Sequence, residues 1–430
     1  MADSNWPVDR RTVLAGMGVG TAGLAGCVGL DGDDDDDDPD ADDDATPDPD
    51  AEITVTAVWT ETEQDNFEAV LDHVEEESGH STSYQPRDTE SLLSETLLDY
   101  ENETTPADIA VIPMAARVQT DGGAGHLEPV GDLWDVDDFT ADPESVSVDG
   151  EVYAAPFGMD LKPGFWYRRS FFDEHDLEEP ESYDEFIDLL DDLSEIDEVD
   201  APLASGNGVG WPLSDVVEAY ILRQDDGAQL QLDLITGDAE FTDDRVYSAF
   251  EEVQETLQDG YWSELEDFGI QYERFWENEL PLYFMGSWTP GEGAIEDPDD
   301  LGVFPLPGVD GMVAAVNWFT VPTYGDEVDA SMDVLEHIIS PEGQQVWTER
   351  GGFVPSHEAV PEDAFEDQIM ADLVNMADDF MLVPDLDDDL GDPFQSEFWS
   401  ELLGLWAEPD SDVDTIVERL DDAHQDTLED

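Results

Sequence analysis

An excess of acid over base constrains this chain more than any motif: 114 Asp and Glu face 12 Lys and Arg, a formal net charge of −102 over 430 residues. A chain that repels itself so strongly stays unfolded unless it buries enough apolar surface to offset the entropy of ordering. Hydrophobic residues make up 40% of the sequence, with 12 Trp and 19 Phe, which is ample for the cores of two ordinary domains. The carboxylates are therefore expected mostly on surfaces, as solvated decoration. Such a surface repels nucleic acid and anionic lipid. Its self-repulsion fades where about 1 M salt contracts the Debye length to about 3 Å. Near-replacement of Lys by Asp and Glu reads as the solvent strategy of an extreme halophile.

The N-terminus reads as an address. Asp9-Arg10-Arg11-Thr12-Val13-Leu14 opens a Gly-rich apolar run that ends at Leu24-Ala25-Gly26-Cys27. The run is shorter and richer in glycine than a spanning helix needs, so residues 1–27 form an export signal. The paired arginines resemble a twin-arginine signal, which exports folded proteins. Leu-Ala-Gly-Cys resembles a lipobox, with lipid attached at Cys27; an ordinary signal peptide with an incidental cysteine is the plainer alternative. Cys27 is the only cysteine, which rules out an internal disulfide and a thiolate metal site. Residues 28–50 lack apolar periodicity and repel themselves, so they are expected to be a disordered acidic tether. They do not supply a calcium-loop pattern.

Beyond the tether, Ile53 to Trp59 alternates and is rich in β-branched residues, as a strand requires. Phe67, Val70, Leu71 and Val74 fall at helical spacing, and Gly79 stops that helix. A strand over 81–85, a helix over 90–100 and a strand over 108–112 continue the start of a parallel α/β sheet. Residues 126–150 read as a surface excursion. Strands are expected at 151–156, 164–167, 282–285 and 317–321, and helices at 182–196, 215–223, 243–258, 332–339, from 341, 362–379, 394–406 and 412–428.

Several segments, taken in order, resemble the substrate-binding lipoproteins of ATP-driven sugar importers, family 1, of the α-glucoside, maltose and trehalose type, here from a haloarchaeon. They are Glu63 to Gly79, Pro106 to Pro113 (PADIAVIP), Asp149 to Pro156 (DGEVYAAP), Trp166 to Phe172, Gly210 to Asp215 (GWPLSD), Ser340 to Gly343 and Gly351 to Ser356 (GGFVPS). One departure is Arg168-Arg169, where the family usually carries Asn-Pro. The resemblance implies an α/β, two-lobed periplasmic-binding-protein-like fold of type II with three hinge crossings, near Phe157 to Leu161, Val316 to Trp318 and Arg350 to Gly352. Residues 51–156 plus 318–350 would form lobe I, and 157–317 plus 351–430 lobe II. A ligand would lie in the cleft, closed over by hinge motion.

A sugar needs flat apolar faces for its C–H patches and charged or amide groups for its hydroxyls. Trp59, Trp211, Trp288, Trp318 and Phe353 are the candidate faces, each with a core aromatic as the plainer reading; the resemblance places Trp288 at a position that stacks on sugar. Glu63, Arg87, Asp88, Asp160 and Asp215 are the polar candidates, and Gly352 allows close backbone approach. The resemblance matches Asp160 to a carboxylate that binds hydroxyls. Lys162, the sole lysine, suggests a local acidic partner, Asp160 or another cleft acid. Arg168 and Arg169 read better as clamps on lobe carboxylates.

No HExxH, GxSxG or phosphate-cradling GxxxxGK[ST] occurs, and paired carboxylates carry no weight in so acidic a chain. The expectation is a monomeric receptor, not an enzyme, without cofactor or metal, at the extracellular face of the cell membrane and touching it only through a lipid anchor. It would carry a neutral oligosaccharide to the transmembrane permease subunits of an ABC importer and bind no nucleic acid. A polyamine receptor is the runner-up, since an acidic aromatic pocket suits cations. A secreted glycoside-active enzyme is the reading from another class.

Overall fold

A computed structural model describes residues 52–87, 89–365 and 367–429. The export signal, Cys27, the acidic tether and Asp88 lie outside the described residues. Among the described residues thirteen strands are found in chain order: β1 (Glu52–Ala57), β2 (Ser81–Pro86), β3 (Ile109–Ile112), β4 (Ser147–Val148), β5 (Glu151–Val152), β6 (Ala155–Lys162), β7 (Phe165–Arg168), β8 (Leu203–Ala204), β9 (Leu282–Phe284), β10 (Leu301–Phe304), β11 (Gly311–Thr320), β12 (Val354–Pro355) and β13 (Met381–Val383).

The first lobe follows from the opening pattern. Ile53 and Val55 of β1 are fully buried, and β1 pairs in parallel with β2 and β3. The helix Glu61–Ser78 lays Phe67, Val70 and Val74 on that sheet, all with no exposure. It ends at Gly79, whose φ of 81° is the left-handed conformation that glycine adopts without a Cβ penalty. The helix Pro341–Thr348 starts with proline in its first turn, and the Ser340 hydroxyl accepts from the Gly343 amide at 3.0 Å.

The large sheet runs β12-β6-β11-β3-β1-β2, with β13 added on β11, and a second sheet runs β10-β7-β9-β8. The second lobe is mainly helical around that smaller sheet. Its central helix, Trp211–Leu222, is buried on nearly every side. It therefore belongs to the class of helices that are apolar all round because they sit inside a core.

Three segments pass from one core to the other. Along β6, Phe157 joins the first-lobe core while Met159 and Leu161 join the second. Along β11, Met312 lies with the second and Phe319 with the first. Phe353 and Val354 divide in the same way. This is a two-lobed α/β fold hung on paired crossing strands.

The expected strands at 151–156 and 317–321 differ from what forms. β6 and β11 are longer and pair antiparallel from Val313↔Lys162 to Phe319↔Ala155, with a register shift at Asn317/Trp318. Gly158 and Asp160 are poor strand residues in isolation, and cross-strand pairing overrides that preference. Helices also form at Ala115–Ala124, Arg169–His175, Gly227–Thr236 and Phe268–Trp276, where the sequence reading placed none.

Candidate functional site

Side chains two apart on a strand share a face, so β6 presents Asp160 and Lys162 together. Lys162 Nζ lies 2.7 Å from Asp215 Oδ2 on the helix Trp211–Leu222, and the two side chains are 7% and 3% exposed. Burial pushes the Lys162 ammonium toward losing its proton, but Asp215, Asp385 and Asp160 more than offset this and hold it charged. Asp215 is itself pushed up by burial, while Lys162 pulls it back. The sole lysine thus survives where a buried acid needs it.

Two indoles frame this pair. Lys162 Nζ lies 4.9 Å from the Trp288 ring centroid and 5.3 Å from that of Trp211, within cation–π range. The two ring centroids are 6.0 Å apart, inclined at 53°. Both residues are only half-buried. The Trp288 ring lies against Gly286, where a Cβ would come within 1.9 Å of it. Gly352, at φ +68°, brings its backbone against Gly291 and the Trp288 carbonyl; a Cβ there would meet Gly291 Cα at 2.8 Å. The expected close backbone approach at Gly352 is thus made to the Trp288 turn of the chain itself.

Asp160 Oδ2 accepts from Asn317 Nδ2 at 2.9 Å, across the β6–β11 pair. Burial raises its carboxyl pKa, opposed by Lys162 and by that hydrogen bond. Glu63 enters from the first lobe and is half-buried. Burial pushes its carboxyl well above the usual range, and the nearby charges of Glu292 and Asp160 push the same way. Glu63, Asp160, Lys162, Trp211, Asp215 and Trp288 therefore gather on one side of the crossing strands. A neighbouring cavity is walled by Pro113, Thr140 and Trp318 on one side and Asp385, Asp388 and Asp389 on the other.

Other expected site residues are placed elsewhere. Trp59 is 5% exposed, with Phe67 at 4.8 Å and Trp347 at 4.9 Å between ring centroids. It is a first-lobe core aromatic, because a strand end facing the long helix has no open face to offer. Phe353 is likewise core, stacked on Trp347 at 5.0 Å and 16°. Trp318 is 3% exposed and meets the cavity only as part of its wall. The Arg87 guanidinium pairs with Glu95 at 2.9 Å and reaches the Pro86 carbonyl, a local clamp on a partly exposed turn. Arg168 bonds Asp300 at 2.9 Å and the Trp276 carbonyl at 2.7 Å, the structural role expected of it.

Not all the acids are solvated decoration: Asp121 and Asp421 are buried singly, at 3% and 8% exposed, and the densest group lies around Asp385. Asp385 and Asp387, in the run Pro384-Asp-Leu-Asp-Asp-Asp389, are 5% and 1% exposed, and Glu218 is fully buried. Against so acidic a background the run gives no signal of its own. Only Leu386 and Leu390, spaced i to i+4 within it and both buried, hint that it is folded inward.

A two-lobed α/β fold hung on crossing strands, with Asp160 and Lys162 on one of them set beside the indoles of Trp211 and Trp288, defines the class. Residues 69–375 match the family described as Bacterial extracellular solute-binding protein, and the chain belongs to it. An uncharacterized ABC transporter extracellular-binding protein of Pyrococcus horikoshii is 35% identical over 368 residues, 85% of this chain and 86% of its own length. AglE of Rhizobium meliloti, an alpha-glucosides-binding periplasmic protein, is 27% identical over 207 residues, 45% of this chain and 44% of its own. In fold, the chain superposes on the bacterial solute receptor AcbH with a TM-score of 0.78 at 18% identity, covering 88% of this chain and 99% of that one. The maltotriose binding protein of Thermus thermophilus gives 0.70 at 16%, covering 87% and 100%. These relatives are binding proteins, and this chain is a solute-binding protein rather than an enzyme.

Proposed function

We propose that this chain is the substrate-binding component of an ABC importer and takes a neutral oligosaccharide, an α-glucoside, in the cleft between its lobes. The observation that carries this reading is the pair of half-buried indoles, Trp211 and Trp288, flanking charged groups on the crossing strand. Indole faces cover sugar C–H patches, and Glu63, Asp160, Lys162 and Asp215 supply donors and acceptors for hydroxyls. The relatives that carry transporter and α-glucoside names support the same assignment. Lobe I then comprises residues 51–156 plus 318–350, and lobe II residues 157–317 plus 351–430, with Phe157 and Phe353 still packed on the first-lobe core at the crossings. Their closure presents a single face to the permease subunits.

The reading extends to the N-terminus. Residues 1–27 act as a twin-arginine signal, Cys27 is lipidated, and residues 28–50 tether a monomer to the outer face of the membrane of a halophile. Globomycin-free and globomycin-treated cells compared by mass spectrometry would test the lipid. An unacylated Cys27 in untreated cells would remove the anchor.

A second reading rests on the cavity wall, where Asp142, Asp385, Asp388 and Asp389 favour a cationic guest such as a polyamine. Tryptophan fluorescence titrated at high salt with maltose, trehalose and spermidine separates the two. A saturable response to an α-glucoside supports the sugar assignment, and a response to spermidine alone overturns it.

A further inference from the structure

Behind the Lys162–Asp215 pair, the acids of the helix Trp211–Leu222 meet those of the segment 385–389. One carboxylate oxygen each from Asp215, Glu218 and Asp385 lie within 4.8 Å of one another, and Asp385 forms a second such group with Asp387 and Asp388. Asp215, Glu218, Asp385 and Asp387 are at most 5% exposed. Lys162 covers one of their oxygens, Asp215 Oδ2. Glu218 Oε2 accepts from Gln231 Nε2 at 2.6 Å and from the Leu386 amide at 3.0 Å. Asp387 Oδ2 accepts from Trp399 Nε1 at 2.8 Å and Gln395 Nε2 at 3.1 Å.

Three buried acceptors at this place have no donor among the described residues: Glu218 Oε1, Asp387 Oδ1 and Gln231 Oε1. Gln231 is the telling one. It is uncharged and fully buried, its amide nitrogen is held on Glu218, and its oxygen is left without a hydrogen-bond donor. Four buried carboxylates and one ammonium need more positive charge than these side chains supply.

We propose that this cluster binds a calcium ion, with Asp215, Glu218 and Asp385 as carboxylate ligands and Gln231 as a neutral oxygen donor. All the donors are oxygen, which selects a hard cation. At Ca–O distances of about 2.3–2.6 Å, opposed ligand oxygens stand about 4.6–5.2 Å apart, whereas magnesium at about 2.0–2.1 Å draws them closer and keeps several waters. A nearly dry site whose oxygens come from the protein itself suits calcium better than magnesium, which keeps several of its waters. The ion would tie the helix Trp211–Leu222 to the segment 385–389, and through Asp215 it would fix Lys162 at the cleft. Protons are the competing means of neutralisation, since burial and then the Asp385 charge push the Asp387 carboxyl up to about 8.

The test uses terbium(III) titrated into the whole protein at high KCl after treatment with EDTA. Tryptophan-sensitised emission should saturate at one site per chain, because Trp399 bonds Asp387, and calcium but not magnesium should displace it. Glu218→Gln should weaken terbium binding by more than about tenfold, while Glu251→Gln on the exposed surface should not change it. Calcium should also raise the melting temperature of the unaltered protein, a readout that does not depend on the variant folding. Unsaturable emission, emission indifferent to Glu218→Gln, or a melting temperature indifferent to calcium would each overturn the proposal in favour of protonated acids. None of these readouts needs a sugar, so they stand or fall apart from the ligand assignment.

Discussion

Lys162 Nζ and Asp215 Oδ2 stand 2.7 Å apart, joining a crossing strand to the central helix of the second lobe with both side chains nearly out of solvent. Removing one member of a buried pair leaves the other uncompensated, at a cost of about 3–5 kcal/mol. Lys162→Met should lose stability of that order in chemical denaturation at high salt. In EDTA, the double variant Lys162→Met/Asp215→Asn should recover part of the loss. Additive losses in that cycle would show that the pair does not couple.

Aromatic substitutions should separate the cleft from the core. Trp288→Ala should weaken ligand binding by about 2 kcal/mol or more, as truncation of a contact-dominating indole does, with a small change in melting temperature. Trp59→Ala should do the reverse, costing about 3–5 kcal/mol of stability because its ring is wedged among Phe67, Phe157 and Trp347. Isothermal titration with an α-glucoside, paired with thermal melts of each variant, reads both quantities.

Glu63 gives a pH dependence whose sign is fixed. Burial first, then Glu292 and Asp160, raise its folded-state pKa above the ordinary carboxylate value of about 4.3. Between those two values the folded protein holds a proton that the unfolded chain has released, so this group's contribution to stability falls as pH rises through the window. Glu63→Gln should flatten that slope. Melting temperatures of both forms across mildly acid pH check it, and parallel curves would remove Glu63 from the account.

Gly352 should tolerate no side chain. Its left-handed φ of +68° costs a residue with a Cβ about 1–2 kcal/mol, and the Cβ would also press on Gly291 and the Trp288 carbonyl. Gly352→Ala should therefore lower stability and also shift the Trp288 emission. A melt unchanged from that of the unaltered protein would contradict the contact.

Much of the architecture was legible along the chain because it rests on local periodicity. The helix through Phe67, Val70 and Val74, its stop at Gly79 and the start at Pro341 need only neighbouring residues to specify them. Trp211, Trp288, Asp160, Lys162 and Asp215 were legible as candidates, and the structure gathers them. Trp59 and Phe353 were misplaced because an aromatic at a strand end looks the same in sequence whether its face meets a core or a cleft.

Asp385, Asp387 and Glu218 were invisible for a different reason. Where nearly every surface position is acidic, the few acids turned inward cannot be told apart by composition, and their burial depends on segments far apart in sequence.

By itself, the sequence determined that this chain folds in spite of its charge, that it alternates strand and helix, and that it keeps a single lysine beside aromatic residues. Those properties follow from counts and short-range spacing. Only the tertiary structure decided that the lysine answers Asp215, 53 residues away, and that buried acids gather behind it. Pairings of that kind are set by how two lobes close on long crossing strands, a relation between distant parts of the chain that no local pattern encodes.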